Sequence, residues 1–146
     1  MRWGAARRDA ERDGSVRSSL SGRGPVLLVE DEALIAFEAE DLLRDLGADD
    51  VTVCWSFEAA EKAVDGVLSG DGDRPGLAVF DLNLNGTLST PLVERWAEAG
   101  GSVVLATGYE LEEEFVQRVR GVHLVKPYDE RRLRAALEEV IAGRAA

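Results

Sequence analysis

The sequence predicts an α/β domain built around a five-stranded parallel sheet. Apolar segments of four to six residues alternate with longer segments in which apolar residues recur every three or four positions. Five such strand–helix units follow one another between Pro25 and the end of the chain. Strands that alternate with helices in this way pair in parallel and are covered by helices on both faces of the sheet.

The predicted strands are short and almost entirely apolar, as expected of strands that are buried on both faces. In chain order they are Val26–Val29, Val51–Trp55, Leu77–Phe80, Ser102–Thr107 and Val122–Val125. The predicted helices are Ala33–Leu46, Phe57–Leu68, Pro91–Ala99, a short helix around Glu110–Arg118, and a last amphipathic helix after Asp129.

Residues with strong local preferences mark the ends of these helices. Gly47 ends the first helix, and Ser56 is a favourable N-cap for the second. Thr90 is expected to cap the third helix, with Pro91 as its first residue, and Asp129 is expected to cap the last. Right-handed crossovers between the units leave few topologies, and we expect the flavodoxin-like strand order 2-1-3-4-5.

The distribution of charge argues against a nucleic-acid partner. The chain has a formal net charge of −11, and residues 25–146 carry 11 basic and 25 acidic residues. Such a surface repels nucleic-acid phosphates, and no dedicated basic element offsets it. Residues 1–24 hold six arginines and three acidic residues with little apolar periodicity, and we expect them to form a disordered N-terminal extension.

Composition also predicts a cytoplasmic protein with no membrane partner. No apolar run approaches the ~20 residues of a membrane span, and no apolar segment follows the first arginines as it would in a secretory signal. Cys54 is the only cysteine, which rules out an internal disulfide and a cysteine-based metal cage. A lone thiol of this kind fits a reducing compartment.

Polar residues follow four of the five predicted strands. Glu30 and Asp31 come after the first strand, Asp81 after the third, Thr107 ends the fourth, and Lys126 follows the fifth. Because the carboxyl ends of parallel strands share one edge of the sheet, these side chains are expected to converge on one pocket. Three nearby carboxylates repel one another unless a cation lies among them, and oxygen ligands favour Mg²⁺.

This set of residues predicts phosphoryl transfer onto Asp81. A carboxylate can act as the nucleophile, while a metal ion and Lys126 neutralise charge on the incoming phosphoryl group. The Thr107 hydroxyl can donate a hydrogen bond to a second phosphoryl oxygen.

The motifs that carry these residues resemble the receiver domain of two-component response regulators, which has the CheY-like fold. The resemblance runs from Pro25 to Ala142 and includes VLLVEDE (Val26–Glu32), VFDLNLNG (Val79–Gly86), ATGY (Ala106–Tyr109) and LVKPY (Leu124–Tyr128). It implies that residues 25–146 are one receiver domain, which takes a phosphoryl group from a phosphohistidine on a sensor histidine kinase or histidine phosphotransfer protein.

The resemblance also implies a role for each site residue. Mg²⁺ would be held by Glu30, Asp31, Asp81 and the main-chain carbonyl of Asn83. Thr107 would be the switch hydroxyl, while Lys126 would contact the phosphoryl group and precede a cis bond to Pro127. Such a domain is not an enzyme beyond slow hydrolysis of its own phosphoaspartate. A homodimer would use the fifth strand and the last helix.

The region around the fourth strand departs from the usual receiver pattern. The ATGY segment is similar to the FATG motif of alphaproteobacterial single-domain receivers, although Leu105 replaces the phenylalanine. His123 stands three residues before the lysine, where receivers usually have an aromatic switch residue. Thr107 and Lys126 are also closer in sequence than is typical, which implies a shortened fourth helix. The hypothesis is that Tyr109 or His123 takes over the switch role.

Three other functions are alternatives to a phosphorylated receiver. The segment FDLNLNGTL resembles the FDxDGTL motif of haloacid-dehalogenase-type phosphatases, but Asn83 stands where that family needs a general acid/base aspartate. A nucleotide-binding module is disfavoured because the EDEA loop after the first strand lacks glycines and has the wrong charge. An unphosphorylated receiver-like scaffold remains an alternative.

The sequence contains no motif that names the cognate kinase or the downstream target. The chain ends at Ala146, shortly after the last predicted helix. We therefore expect a stand-alone receiver, which binds a partner, relays phosphate or acts as a phosphate sink. A polar loop with a turn at Asn85-Gly86 is expected between Asp81 and the third helix.

Overall fold

The computed structural model describes residues 20–70 and 75–145, and these residues form an α/β fold around a parallel sheet. The strands are β1 (Val26–Val29), β2 (Val51–Cys54), β3 (Leu77–Asp81), β4 (Asn83–Leu84), β5 (Thr87–Leu88), β6 (Ser102–Thr107) and β7 (Val122–Val125). The helices are α1 (Ala33–Asp45), α2 (Phe57–Leu68), α3 (Thr90–Glu98), α4 (Glu113–Val119) and α5 (Glu130–Ala145).

The main sheet has five parallel strands in the order β2-β1-β3-β6-β7. Since β6 and β7 are the fourth and fifth strands predicted from the sequence, the predicted order 2-1-3-4-5 is confirmed. This order places β3 at the centre of the sheet, between β1 and β6. The residue that ends β3 therefore has a strand end on each side of it.

Helices cover both faces of the sheet, as predicted. One face packs against α1 and α5, with Leu28, Val79 and Val104 in its core. The other face packs against α2, α3 and α4, with Phe80 and Leu105 in its core. Because successive side chains of a strand point to opposite faces, every central strand has to be apolar throughout, which explains the unbroken apolar segments.

Trp96 anchors the second face at the amino edge of the sheet. Its side chain is fully buried, and its indole Nε1 donates a hydrogen bond to the main-chain oxygen of Ser102 at 3.1 Å. A side chain at Gly101 would collide with the indole ring, so this position has to be glycine while Trp96 keeps its place. The turn Gly100-Gly101 thus follows the end of α3 and also makes room for the tryptophan.

Leu20 is packed into the core, although it lies inside the stretch for which the sequence predicts disorder. The Leu20 side chain is buried with the α1 and α5 cluster, and its N–H donates to the Leu46 carbonyl at 2.8 Å. A single leucine among glycines and serines has no periodicity, so the sequence gives no signal for it. Residues 1–19 of the predicted extension lie outside the described residues, and their disorder stays a prediction.

The segment after β3 forms a hairpin where only a polar loop with a turn had been predicted. Strands β4 and β5 pair antiparallel, with Leu84 opposite Thr87. The predicted turn at Asn85-Gly86 joins them, with φ angles of 52° and 92°. Positive φ at both central residues is typical of the type I′ turns that connect two-residue hairpin loops. Strands of two residues are too short to produce a detectable alternation.

Three helix boundaries test the predicted caps. Ser56 caps α2, since its Oγ accepts the Ala59 N–H at 3.1 Å, and Asp129 caps α5 through the Arg132 N–H at 2.9 Å. The prediction that Thr90 caps the third helix was wrong by one residue, because α3 begins at Thr90 and Ser89 takes the cap position. The hairpin causes this shift, since it ends with the Ser89 N–H bonded to the Leu82 carbonyl.

The predicted shortening of the fourth helix is confirmed. Helix α4 has seven residues, Glu113–Val119, and begins later than the predicted Glu110. It ends at Arg120, which has a left-handed conformation with φ of 53°. Across residues 20–70 and 75–145, no helix is both long and apolar enough to cross a membrane.

Candidate functional site

Asp81 ends the central strand and is almost completely buried at the carboxyl edge of the sheet. Its main chain is fixed to β6, because Leu82 N–H donates to the Ala106 carbonyl at 3.1 Å. Both carboxylate oxygens have a partner. Oδ1 accepts the Asn83 N–H at 3.1 Å, and Oδ2 accepts a hydrogen bond from Lys126 Nζ at 2.9 Å. The Asp81 side chain is therefore held in one orientation.

Lys126 reaches Asp81 from the edge strand of the sheet. Its N–H donates to the Thr107 carbonyl at 2.9 Å, which continues the β6–β7 pairing, and its bond to Pro127 is cis, as the resemblance implied. The Nζ atom also lies 3.2 Å from Glu30 Oε1 and 3.7 Å from Glu32 Oε2.

The acidic neighbours keep Lys126 charged. Burial by itself lowers the pKa of Lys126, but the hydrogen bond to Asp81 and the charges of Glu30 and Asp81 raise it above the ordinary lysine value. A permanently protonated amine at this position can pair with an anion that approaches Asp81.

Glu30 is the most deeply buried acid of the group, with 2% of its surface exposed. Burial, followed by the charge of Asp81, raises the pKa of Glu30 to about 7, against the opposing effects of the Glu32 N–H and Lys126. The Glu32 N–H donates to Glu30 Oε2 at 3.1 Å, which fixes the carboxylate at the start of α1. Near neutral pH this group therefore holds its proton far more readily than an ordinary glutamate.

The chemistry of the donors fits a divalent cation. One carboxylate oxygen from each of Glu30, Asp31 and Glu32 lies within 4.8 Å of the others, and Asp81 lies beside this cluster because Lys126 contacts both Asp81 and Glu30. Lys126 forms ion pairs with Glu30, Glu32 and Asp81, so within the described part of the chain the acids at this edge outnumber the cation that pairs with them. The excess negative charge and the all-oxygen donor set suit Mg²⁺. Glu32 was not among the predicted ligands, although it belongs to the acidic triplet visible in the sequence.

Thr107 lies at the end of β6, on the strand adjacent to Asp81. Its side chain is buried, and its Oγ1 accepts the main-chain N–H of Tyr109 at 3.1 Å. The register pairs Asp81 with Ala106, the residue before Thr107. The sheet thus brings Thr107 to the same edge as Asp81 and Lys126, as predicted.

The two predicted switch residues have opposite environments. The Tyr109 side chain is 70% exposed. His123 pairs with Leu105 in the β6–β7 register and is half-buried. Its Nε2 atom is buried and has no hydrogen-bond partner among the residues that the structure describes. Tyr109 therefore has an exposed ring, whereas His123 is half-buried with its Nε2 atom enclosed.

Two residues near the site were not singled out from the sequence. Ser89 is fully buried, and its Oγ donates to the main-chain oxygen of Asp81 at 2.9 Å. Burial, followed by the charge of Glu30, raises the pKa of Tyr128 to about 12. A serine before Thr-Pro indicates a helix start, so only the folded hairpin shows where this hydroxyl points.

Comparisons with known proteins extend these observations. A scan against models of protein families and a search of curated proteins returned no match. Solved structures of response regulator receiver domains do match. The CheY-like receiver domain protein from Methanospirillum hungatei is 20% identical with a TM-score of 0.66, covering 84% of this chain and 96% of that one.

Two further structures show the same fold. A response regulator receiver domain protein from Bacillus halodurans is 28% identical with a TM-score of 0.63, covering 80% of this chain and 95% of that one. The response regulator PhyR from Brucella abortus is 17% identical with a TM-score of 0.66, and the match covers 94% of this chain but only 55% of PhyR. The fold of this chain is that of CheY-like receiver domains.

Proposed function

We propose that this protein is a response regulator receiver whose Asp81 accepts a phosphoryl group from a phosphohistidine, on a sensor histidine kinase or a histidine phosphotransfer protein. The observation that carries the proposal is the ion pair of 2.9 Å between Asp81 and Lys126, at the edge of a receiver-type sheet and beside three further acids. A buried nucleophilic carboxylate beside a fixed cation is what phosphoryl transfer to aspartate requires.

The transfer exchanges one bond to phosphorus for another. An Asp81 carboxylate oxygen attacks the phosphorus atom, an O–P bond forms, and the N–P bond to the donor imidazole breaks. The electron pair of the broken bond stays on the imidazole nitrogen, which is reprotonated. Lys126 pairs with one phosphoryl oxygen, and the Thr107 hydroxyl donates to another.

Mg²⁺ fits the acidic group and would be held by Glu30, Asp31, Asp81 and the main-chain carbonyl of Asn83. When bound, such an ion neutralises charge on the phosphoryl oxygens. Glu30 must lose its proton before it can bind a metal, and the pKa of about 7 makes this loss depend on pH in the physiological range.

The same site disfavours a phosphatase that turns over. Asn83 cannot shuttle a proton, and its Oδ1 is committed to the hairpin, where it accepts the Gly86 N–H at 2.7 Å. Slow hydrolysis of the phosphoaspartate is the only turnover that we propose. The haloacid-dehalogenase-type alternative instead predicts steady release of phosphate from small phosphomonoesters.

Phosphorylation is proposed to change the binding of a partner, with Tyr109 or His123 as the residue that reports the change. The exposed Tyr109 ring, and the His123 ring whose buried Nε2 atom has no partner among the described residues, are candidates for residues that move when Thr107 turns toward the phosphoryl group. A homodimer would use β7 and α5. We propose a cytoplasmic protein that binds no nucleic acid and is related to the FATG-motif single-domain receivers.

Labelling with acetyl phosphate tests this function without a cognate kinase. With Mg²⁺ present, we expect one phosphoryl group per chain by intact mass, none in Asp81→Asn, and no steady hydrolysis of p-nitrophenyl phosphate. Transfer from a panel of purified histidine kinases then identifies the donor. Absence of labelling from acetyl phosphate and from every kinase would favour the unphosphorylated scaffold, and steady turnover would favour the phosphatase.

A further inference from the structure

Ser89 has two unusual properties for a residue at the start of a helix. It is a fully buried polar residue, with 0% of its surface exposed. It also occupies the N-cap position of α3, yet its side chain does not accept a hydrogen bond from that helix. Serine is among the preferred capping residues because its hydroxyl satisfies a free helical N–H. At Ser89 the hydroxyl is used for something else.

The Ser89 hydroxyl donates instead to the main-chain oxygen of Asp81 at 2.9 Å. The pairing of β3 with β1 ends at Phe80 and Val29, one residue before Asp81. The Asp81 carbonyl therefore lies just beyond the end of that ladder, where a buried oxygen needs another donor. Ser89 supplies that donor.

The main chain of Ser89 adds bonds in two directions. Its N–H donates to the Leu82 carbonyl at 3.0 Å, so the residue contacts two consecutive peptide groups that follow the proposed phosphoacceptor. Its own carbonyl accepts the N–H groups of Leu92 and Val93, which begin the hydrogen-bond ladder of α3. One buried residue thus joins the Asp81 peptide to the first turn of α3.

The hairpin places the expected metal-ligating carbonyl within the same unit. Asn83 pairs with Leu88, the residue directly before Ser89. The Asn83 N–H donates to Asp81 Oδ1 at 3.1 Å, so the orientation of the Asp81 side chain depends on where the Asn83 peptide lies. A shift of the chain at Ser89 would move the Asp81 carboxylate and the Asn83 carbonyl together.

We propose that Ser89 is a positioning residue, which holds the Asp81 peptide through its buried hydroxyl and transmits changes at Asp81 to the start of α3. The proposal rests on the proposed phosphorylation of Asp81. It assigns to Ser89 two effects that helix capping alone would not produce: a faster reaction at Asp81 and a coupled response of the α3 amides.

The test compares Ser89→Ala with Ser56→Ala. Ser56 caps α2 through the Ala59 N–H, so its variant loses one serine hydrogen bond at the same edge of the sheet without touching Asp81. The initial rate of labelling by acetyl phosphate is measured at saturating Mg²⁺, together with thermal unfolding. We expect Ser89→Ala to react at least fivefold more slowly than the native protein, and Ser56→Ala to stay within twofold.

Amide NMR with beryllofluoride provides the second readout. In the native protein the resonances of Leu92 and Val93 are expected to shift on addition of beryllofluoride, and in Ser89→Ala these shifts are expected to be lost. Ser89→Cys, which keeps the size and a weak donor, should recover part of the rate. If Ser89→Ala does not fold, Ser89→Gly, which also lacks the hydroxyl and is tolerated at a cap position, takes its place in both measurements.

The outcomes separate the two proposals. A native protein that takes no label on Asp81 would overturn the proposed function, and the role of Ser89 with it. A labelled native protein, with Ser89→Ala reacting as fast as Ser56→Ala and keeping the α3 shifts, would overturn only the role of Ser89.

Discussion

The Nζ atom of Lys126 lies 2.9 Å from Oδ2 of Asp81, although the two residues come from different strands, the edge strand β7 and the central strand β3. The same ammonium group also contacts Glu30, which is almost completely buried. Lys126 therefore contacts two enclosed carboxylates at once. We expect both the stability of the metal-free protein and the reactivity of Asp81 to depend on this lysine.

Removal of Lys126 should destabilise the protein mainly in the absence of metal. In Lys126→Met the carboxylates of Asp81 and Glu30 lose their cation, and breaking such a buried pair costs roughly 3–5 kcal/mol. Urea unfolding in EDTA measures the loss, and Mg²⁺ should recover most of it. Arg134→Met is the control, because it removes a partly exposed pair with Asp45 that is worth about 1 kcal/mol or less. An equal loss with and without Mg²⁺ would contradict this prediction.

Binding of Mg²⁺ should strengthen as the pH rises through about 7. The pKa of Glu30 is raised to about 7, so the proton competes with the metal below that pH. Between pH 6 and pH 8 the affinity should increase about tenfold, as followed by amide shifts during a titration with MgCl₂. Glu30→Gln should bind weakly at both pH values, and a steep pH dependence that survives in this variant would locate the proton elsewhere.

The metal-free protein should show the opposite trend in stability. The folded state binds the Glu30 proton more tightly than the unfolded chain, whose glutamate pKa is the ordinary 4.5. The stability that comes from this proton is fully present below pH 4.5 and is lost as the pH rises through 7. Unfolding in EDTA at pH 5 and pH 8 should therefore show a larger decrease for the native protein than for Glu30→Gln. Parallel decreases would show that Glu30 titrates normally.

Thr107 should affect the response to phosphorylation more than the phosphorylation itself. Its Oγ1 accepts the Tyr109 N–H, and in Thr107→Ala that bond is lost while Asp81 and Lys126 keep their contact. We expect acetyl phosphate to label Thr107→Ala within about threefold of the native rate, because one neutral hydrogen-bond donor contributes little beside a metal and a lysine. The beryllofluoride shift at the Tyr109 amide should vanish and return in Thr107→Ser. If Thr107→Ser did not restore this shift, the hydroxyl would be excluded as the group that carries the response.

Leu20 should contribute to stability as a core residue does. Leu20→Ala removes a side chain that is 2% exposed and should lower the free energy of unfolding by roughly 2–4 kcal/mol. Leu34→Ala is the matched control, because that leucine is 72% exposed and the change should cost about 0.5 kcal/mol or less. Chemical denaturation of both variants measures the two losses in the free energy of unfolding. A small loss for Leu20→Ala would mean that its burial is not maintained in solution.

Much of this arrangement could be predicted because it follows from local chemistry. The unbroken apolar strands predicted a parallel sheet, and the polar residues at the strand ends predicted that Asp81, Lys126 and Thr107 share one edge. The side-chain bonds of Ser56 and Asp129 are made within three residues of each cap, so their roles were readable without the fold. Each of these features depends on residues close together in the chain or on the topology of parallel strands.

The features that were missed depend on tertiary contacts. The direction of the Ser89 hydroxyl is set by the hairpin, which pairs segments of only two residues. Leu20 is buried by α1 and α5, far from it in sequence, and the raised pKa of Glu30 arises from burial and the charge of Asp81. None of these features leaves a periodic pattern or a motif in the sequence, so they are visible only in the folded structure.

The burial of Trp96 at the amino edge, opposite the acidic edge, gives the protein two optical probes. Trp96 is enclosed and hydrogen-bonded to the Ser102 carbonyl, whereas Trp55 is 44% exposed and lies edge-on to Phe37, with ring centroids 6.5 Å apart. With Trp3 replaced by phenylalanine, iodide should quench the emission of Trp55 and leave the blue-shifted emission of Trp96 intact. The emission of Trp96 can then report unfolding of the core, and the emission of Trp55 can report changes at the acidic edge, in the same sample and without an attached dye.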